Sequence, residues 1–549
     1  NGTIIQGTAL SEGDQYGRGN NPVATWYVSG LRPVTRLQVA NMYVRYGGRD
    51  VGGIIASGND GLYEQNTIED TYEFGTLKNR HQGVVALTGT KDALNTGNAY
   101  RYNSIINCRH RGIDAGDVSN TYGNHITIRS IATNAFGISK GTHDITVFNN
   151  TIIARGEHPL GIGFSSVASG YAPLQTYNIN VYNNYIDSQV TALGTEYSSA
   201  YLASPTSIIT GNNAVGFRTT WGGNGIHFHN NQMVVRSDSH YVGTYSPTGA
   251  VAHINAGARG VMAMLLNGET ALFENNIITA IDKDGTGHNS GIAVVGYNYQ
   301  NGGNNAGLVF KGNTVISDSM NVSLGDSYGG SPGWPLFVQN TFVRSGSSAS
   351  YATIGDQLGG YNVGTGKFVS NVYQDGASQT SLDMHFGQHS TETNAWHSIM
   401  FGRLVTGTVK NSSGVAQPGI TLETHLQSGD TRSVTYTIPL AGLYLPAGSY
   451  TATTKLNSQV PAQGNPGLPE NTEVVTDLNG QAYVIVYDYE LHDVDSTSSV
   501  PLTVYYQPHA IELGSLLLTP YVTGSLAWDA LTSSGSYTYS YTESGGSWQ

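Results

Sequence analysis

The stretch Ile145-Thr-Val147-Phe-Asn149-Asn150-Thr-Ile152 decides the fold, because its pattern recurs along the chain. Two apolar residues alternate, a polar pair ending in Asn follows, and an apolar or β-branched residue comes two places later. The frame returns at Ile179-x-Val181-x-x-Asn184-x-Ile186, Ile226-x-Phe228-x-x-Asn231-x-Met233, Ala271-x-Phe273-x-x-Asn276-x-Ile278 and Leu308-x-Phe310-x-x-Asn313-x-Val315, then around Asn340 and Asn371. Upstream, Asn66 and Asn103 fit, while Met42 and Ile131 stand at the Asn position of two further copies. Alternation marks strands, and the change of parity across the Asn pair marks a tight bend between two strands that both turn apolar residues inward. Asn suits such a bend because it tolerates left-handed backbone and bonds its own main chain. Stacked on one another, Asn66, Asn103, Asn150, Asn184, Asn231, Asn276, Asn313, Asn340 and Asn371 are expected to form a ladder that satisfies otherwise buried amides.

Successive frame positions lie from 19 (131 to 150) to 47 (184 to 231) residues apart. Short gaps fit one coil of three brief strands, and long gaps fit the same coil with an inserted loop. A doubly wound α/β fold would need amphipathic helices between strands, and no sustained 3.6-residue periodicity supplies them. The frame resembles that of the right-handed parallel β-helix superfamily, which includes pectate-lyase-like enzymes, phage tailspikes and bacterial surface proteins. The resemblance implies an all-β chain with a right-handed parallel β-helix over 1–402, and it is specific for fold and not for function. Beyond it the grammar changes. Leu404-Val-Thr-Gly-Thr-Val409, Gly414 to Leu422 and Thr476-Asp-Leu-Asn-Gly480 to Val486 resemble carboxypeptidase-regulatory-like and immunoglobulin-like modules. That implies an antiparallel β-sandwich over 403–506, followed by a strand-rich tail at 507–549.

Composition restricts the function. Charged residues make up 11% of the 549, Gly and Tyr number 71 and 35, and the net charge is −13. This is the profile of an extracellular solenoid with a polar, weakly charged surface, and the negative balance opposes nucleic acid or an anionic membrane as partner. The single cysteine, Cys108, excludes an intrachain disulfide. No run of about 18 apolar residues exists to span a membrane. The sequence opens at Asn1 without Met or signal peptide, so we expect a mature or trimmed product whose first coil is covered by a removed cap or by another chain.

Three constellations are candidates for chemistry. Counted from the frame, Glu73, His110 and Glu157 fall seven residues on, and Arg111 and His158 fall eight on. Equal offsets are expected to stack at coil spacing, so these five form a candidate catalytic patch for proton abstraction or glycoside hydrolysis. The motif sets of polygalacturonases and mannuronan epimerases are absent. His227-x-His229 puts two imidazoles on one strand face, where they are candidate metal ligands. Asp282-Lys-Asp284-Gly resembles the start of a calcium loop, although Ala293 stands where an EF-hand needs Glu. Tyr171, Tyr177, Tyr197, Tyr201, Tyr241, Tyr245, Tyr297 and Tyr299, with Trp221 and Trp334, sit in or beside the long inserts, where they suit sugar stacking or a protein interface.

The favoured reading is a secreted structural or adhesive protein of a cell surface or extracellular fibre, self-associating head to tail and binding polysaccharide. The alternative is a polysaccharide lyase, epimerase or hydrolase acting on an acidic glycan, with calcium as the cofactor.

Overall fold

In the computed structural model the described residues form no α-helix and coil through three sheets. The structure describes residues 4–6, 23–24, 35–45, 54–56, 59–69, 82–86, 96–108, 111–130, 135–139, 143–156, 159–164, 176–190, 213–219, 223–237, 257–263, 265, 268–282, 289–294, 307–324, 334–349, 351–355, 365–383 and 398–404, then the strands and one turn between 409 and 542. One coil shows the plan. The strand His143–Phe148 lies in sheet 3, Thr151–Gly156 in sheet 1 and Pro159–Phe164 in sheet 2, and Tyr177–Tyr182 then returns to sheet 3 beside His143–Phe148. Each strand pairs in parallel with the equivalent strand one coil away. Sheets 1 and 2 each hold twelve strands, from Ile4–Gln6 to Val372–Gln374 and from Val23–Ala24 to Leu382–Asp383. This is a parallel β-helix.

Register turns the sequence pattern into columns. On sheet 3 the inward file runs Val39, Tyr63, Tyr100, Thr121, Val147, Val181, Phe228, Phe273, Phe310, Phe337, Phe368, Phe401. Its phenyl rings stack, with centroids 4.9 Å apart for Phe273–Phe310 and 4.6 Å for Phe337–Phe368. Sheet 1 faces this file with a column that includes Ile68, Ile105, Ile126, Ile152, Ile186, Met233 and Ile278, all buried. Burial of these columns supplies the main driving force for folding.

The bend between sheets 3 and 1 divides two jobs between two residues. The first residue takes the left-handed conformation, as at Asn149 (φ 55) and Asn183 (φ 54). The second makes the ladder. The Asn150 main-chain N–H and Nδ2 both donate to Asn184 Oδ1, at 3.0 and 2.9 Å, and the same Nδ2 donates to the Thr121 carbonyl at 2.9 Å. Such bonds run unbroken through Asn66, Asn103, Asn124, Asn150, Asn184, Asn231, Asn276, Asn313, Asn340 and Asn371. Met42 occupies the first position with its N–H on Asn66 Oδ1. The place that the frame gives to Ile131 belongs to Asn124. That copy is obscured because Ser119 and Thr121 fill the inward positions that Ile145 and Val147 fill one coil later. The shortest rung spacing is therefore 21 residues and not 19.

Sheets 1 and 2 approach closely because sheet 2 carries a file of glycines at Gly161, Gly216, Gly260 and Gly291. A Cβ on Gly260 would lie 2.1 Å from Ile278 Cγ2 and 2.5 Å from the Gly291 carbonyl oxygen. The aliphatic column of sheet 1 thus packs directly on sheet 2 backbone.

After the last coil, Ser398–Leu404 pairs in parallel with Thr365–Val369 on one side and antiparallel with Ala482–His492 on the other. Further antiparallel pairing joins Thr472–Thr476, Gly448–Leu456, Ile420–Leu426 and Ser433–Thr437 to this extension. Val409–Lys410, Glu512–Leu517, Ser536–Thr542 and Ser525–Trp528 form a separate sheet that mixes parallel and antiparallel pairs. The β-helix and the strands that follow it share sheet 3, with Ser398–Leu404 spanning the 402/403 boundary.

Candidate binding cleft

Sheet 3 changes character along its outer face. One outward file reads Glu64, Arg101, Tyr122, Phe148, Tyr182, His229, Glu274, Lys311, Val338, Val369. Arg101 donates from Nε to Glu64 at 2.8 Å and from a terminal nitrogen to the Tyr122 hydroxyl at 2.9 Å. The bond from Arg101, with a second from Gln38, holds the Glu64 carboxyl below its ordinary range. The next four rings stack nearly parallel, at 4.7, 5.0 and 5.1 Å between Tyr122, Phe148, Tyr182 and His229. Because their faces are spent on one another, they present edges outward, and a sugar has no free face to stack on there.

From the next coil onward the outer face turns apolar at Leu272, Val309, Leu336, Val338 and Val369, and there it is covered. Val475, Tyr483, Ile485 and Tyr487 of the C-terminal hairpin pack on it as one buried cluster. The hairpin tip is locked: Asp477 accepts from the Asn479 main-chain N–H at 2.9 Å and from the Tyr483 hydroxyl at 2.6 Å. Burial, together with the Asp477 carboxylate, holds the Tyr483 phenol well above its ordinary range.

The tip overhangs the entry edge of sheet 3, and between them lies a cleft of about 510 Å³ lined by Tyr177, Asn178, Ile179, Asn180, Asn224, Gly225, His227, Thr270, Leu478 and Asn479. A left-handed corner builds its floor. Asp144 (φ 54), Asn178 (φ 55) and Gly225 (φ 70) take this conformation on successive coils and turn the chain into the sheet. A side chain at Gly225 would meet the Asn178 main-chain nitrogen at 3.3 Å, so glycine keeps the floor open. Tyr177 forms a wall: it stacks on His143 at 4.9 Å with 8° between the rings, lines the cleft and remains 41% exposed.

Polar partners fix the other walls. Asn178 Nδ2 donates to the Asp144 carboxylate, and with His143 this bond holds the Asp144 carboxyl below its ordinary range. Asn224 Oδ1 accepts from the Thr270 main-chain N–H and hydroxyl, both at 3.1 Å. His227 reaches Glu274 at 3.3 Å and Lys311 reaches the same carboxylate at 2.8 Å. Burial alone would raise the Glu274 carboxyl, but Lys311 and His227 outweigh it and the net shift is downward. His229 bonds Asn180 Oδ1 at 3.1 Å, and burial and the neighbouring His227 hold its imidazole below the ordinary value. The result is a cleft of carboxamides, the Thr270 hydroxyl, the His227 imidazole, the Leu478 side chain and one aromatic wall at Tyr177, with the carboxylates one layer behind.

The candidates from sequence are distributed unevenly. Glu73, His110, Glu157, His158 and Asp284 lie outside the described residues, as do the inserted tyrosines other than Tyr177. Arg111 opens the strand Arg111–Asp114, and its file on sheet 2 passes through Phe136 to Leu160. Equal counting from the ladder therefore does not preserve register on sheet 2, because the segments leading to it differ in length. His227 and His229 do converge, with ring centroids 4.2 Å apart. Among the described residues no group of three His, Cys, Asp or Glu is placed to hold a metal ion. Asp282 is buried, and its N–H donates to Asp318 at 2.6 Å. Asn178, Asn180, Asn224, Thr270, Leu478 and Asn479 carry no motif. Three consecutive apolar residues where alternation is expected, as in Ala271-Leu272-Phe273 and Leu308-Val309-Phe310, are the available sign that something covers this face.

No family model matches the chain, and no curated protein matches it. Among solved structures it is similar to the tailspike protein of E. coli bacteriophage HK620 in complex with a pentasaccharide, at TM-score 0.31 and 11% identity over 92% of this chain and 86% of that one. It is also similar to the Agl-KA catalytic domain, at TM-score 0.24 and 11% identity over 64% and 60% of the two chains. Likeness at this level bears on neither ligand nor reaction. No helix among the described residues is long and apolar enough to cross a membrane.

Proposed function

We propose that the chain is an extracellular structural or adhesive surface protein whose rod binds a glycan in the cleft of sheet 3. The observation that supports this most directly is the lining: an exposed Tyr177 ring beside Asn178, Asn180, Asn224 and Thr270, with His227 the one titratable side chain other than Tyr177 and no carboxylate, lysine or arginine among the lining residues. Sugars are recognised in this way, by a ring face for their C–H surface and by neutral donors and acceptors for their hydroxyls. Head-to-tail association of rods, a sandwich module over 403–506 and strand addition by the aromatic tail belong to the same proposal. A panel of immobilised neutral oligosaccharides probed with the intact protein and with Tyr177→Ala tests it. Retention of at least one glycan that is lost in the variant supports the reading; a panel that retains nothing, or binding unchanged by Tyr177→Ala, defeats it. Release of unsaturated products from acidic polysaccharide, with or without Ca²⁺, would favour the enzymatic alternative around Arg111.

A further inference from the structure

We infer that the cleft selects a sugar bearing an acetamido group, an inference that rests on the glycan reading and adds the substrate class to it. The argument comes from which way two carboxamides must point. An amide group offers a donor on one side and an acceptor on the other, and the pair is normally free to flip. Here two partners of fixed polarity remove that freedom. The Asp144 carboxylate only accepts, so Asn178 must give it Nδ2 and turn Oδ1 away. The Thr270 main-chain N–H only donates, so Asn224 must give it Oδ1 and turn Nδ2 away. Both residues line the cleft, one on each of two successive coils. The cleft therefore offers one oriented acceptor, Asn178 Oδ1, and one oriented donor, Asn224 Nδ2.

A secondary acetamide is the complement of this pair. Its N–H needs an acceptor, its C=O needs a donor on the opposite side, and its methyl group needs an apolar contact. Leu478 at the hairpin tip and the Tyr177 ring supply the contact, and a Cβ at Gly225 would stand 4.0 Å from Leu478 Cδ1, so the missing side chain leaves the slot between them open. A plain hydroxyl can donate to Asn178 Oδ1 and accept from Asn224 Nδ2 through its one oxygen, but it leaves the apolar slot empty. A carboxylate in the ligand would meet Asn178 Oδ1, with Asp144 behind it, and is disfavoured. Discrimination arises because the acetyl group fills the apolar slot beside Leu478 and Tyr177, which the hydroxyl analogue leaves empty.

Titration calorimetry of the full chain with a β-1,4-linked N-acetylglucosamine trisaccharide and with the matching glucose trisaccharide tests the inference. We expect the acetylated ligand to bind at least about ten-fold more tightly. Asn224→Asp keeps the acceptor for Thr270 and replaces only the outward donor; it is expected to abolish the preference while thermal unfolding stays unchanged. Equal affinity for the two trisaccharides would overturn the acetamido inference and leave the glycan reading standing. Failure of both to bind would overturn the two together, and an Asn224→Asp protein that keeps the preference would show that the donor is misassigned.

Discussion

At the scale of the residue, the ladder asparagine is held by partners on every side. Asn231 donates from its N–H and Nδ2 to Asn276 Oδ1, donates again to the Val181 carbonyl, and accepts from Asn184 twice. Removing it leaves several buried groups without partners, so Asn231→Ala is expected to destabilise by about 2–4 kcal/mol, measured by denaturant unfolding. An unchanged midpoint would mean that water replaces the rung at no cost. His229 is the titrating residue with a definite sign. Its folded value lies below the ordinary 6.5, so the unfolded chain binds the proton more tightly, and stability is lost as pH falls from about 6.5 toward the folded value. His229→Phe should continue the ring stack of Tyr182 and flatten that acid slope, as followed by melting temperature between pH 5 and pH 7.

At the scale of the element, what was legible in the sequence depended on distance along the chain. The Asn150 frame declares the bend, the two flanking strands and their inward faces within eight residues, so the coil follows from local chemistry. Asn124 escaped because its coil turns Ser119 and Thr121 inward, where hydroxyl side chains break the apolar alternation. Register on sheet 2 escaped because the segments leading to it vary in length, which displaced the Arg111 file from the offsets counted from the ladder. Of the cleft only Tyr177 and His227 were legible: Tyr177 and Leu478 are about 300 residues apart in the sequence and meet only because the hairpin covers apolar outer positions. Two element-scale predictions follow from the same packing. Gly260→Ala drives a Cβ against Ile278 and the Gly291 carbonyl and should cost about 3 kcal/mol in denaturant unfolding, more than an ordinary glycine substitution in an exposed strand. Tyr483→Phe removes one of the two bonds that lock Asp477, and glycan affinity should fall while the unfolding of the coils does not move.

At the scale of the whole molecule, the account is a rod built by repetition, with its function on one flank. Each coil rests mainly on its two neighbours, so stability is close to a sum of coil and interface contributions. The direct test is the distance between spin labels across coils, measured by double electron–electron resonance in a Cys108→Ser background. Cysteines at Asn149 and Gln339 precede rungs separated by five coil steps (150, 184, 231, 276, 313, 340), and cysteines at Gln65 and Gln339 precede rungs separated by eight, the extra three passing through 103 and 124. At about 4.8 Å per coil the backbone separations should be about 24 Å and about 38 Å, a difference set by coil number and not by sequence length. Two distances that fail to differ by about 14 Å would contradict the stacked ladder and, with it, the cleft that the stacking builds.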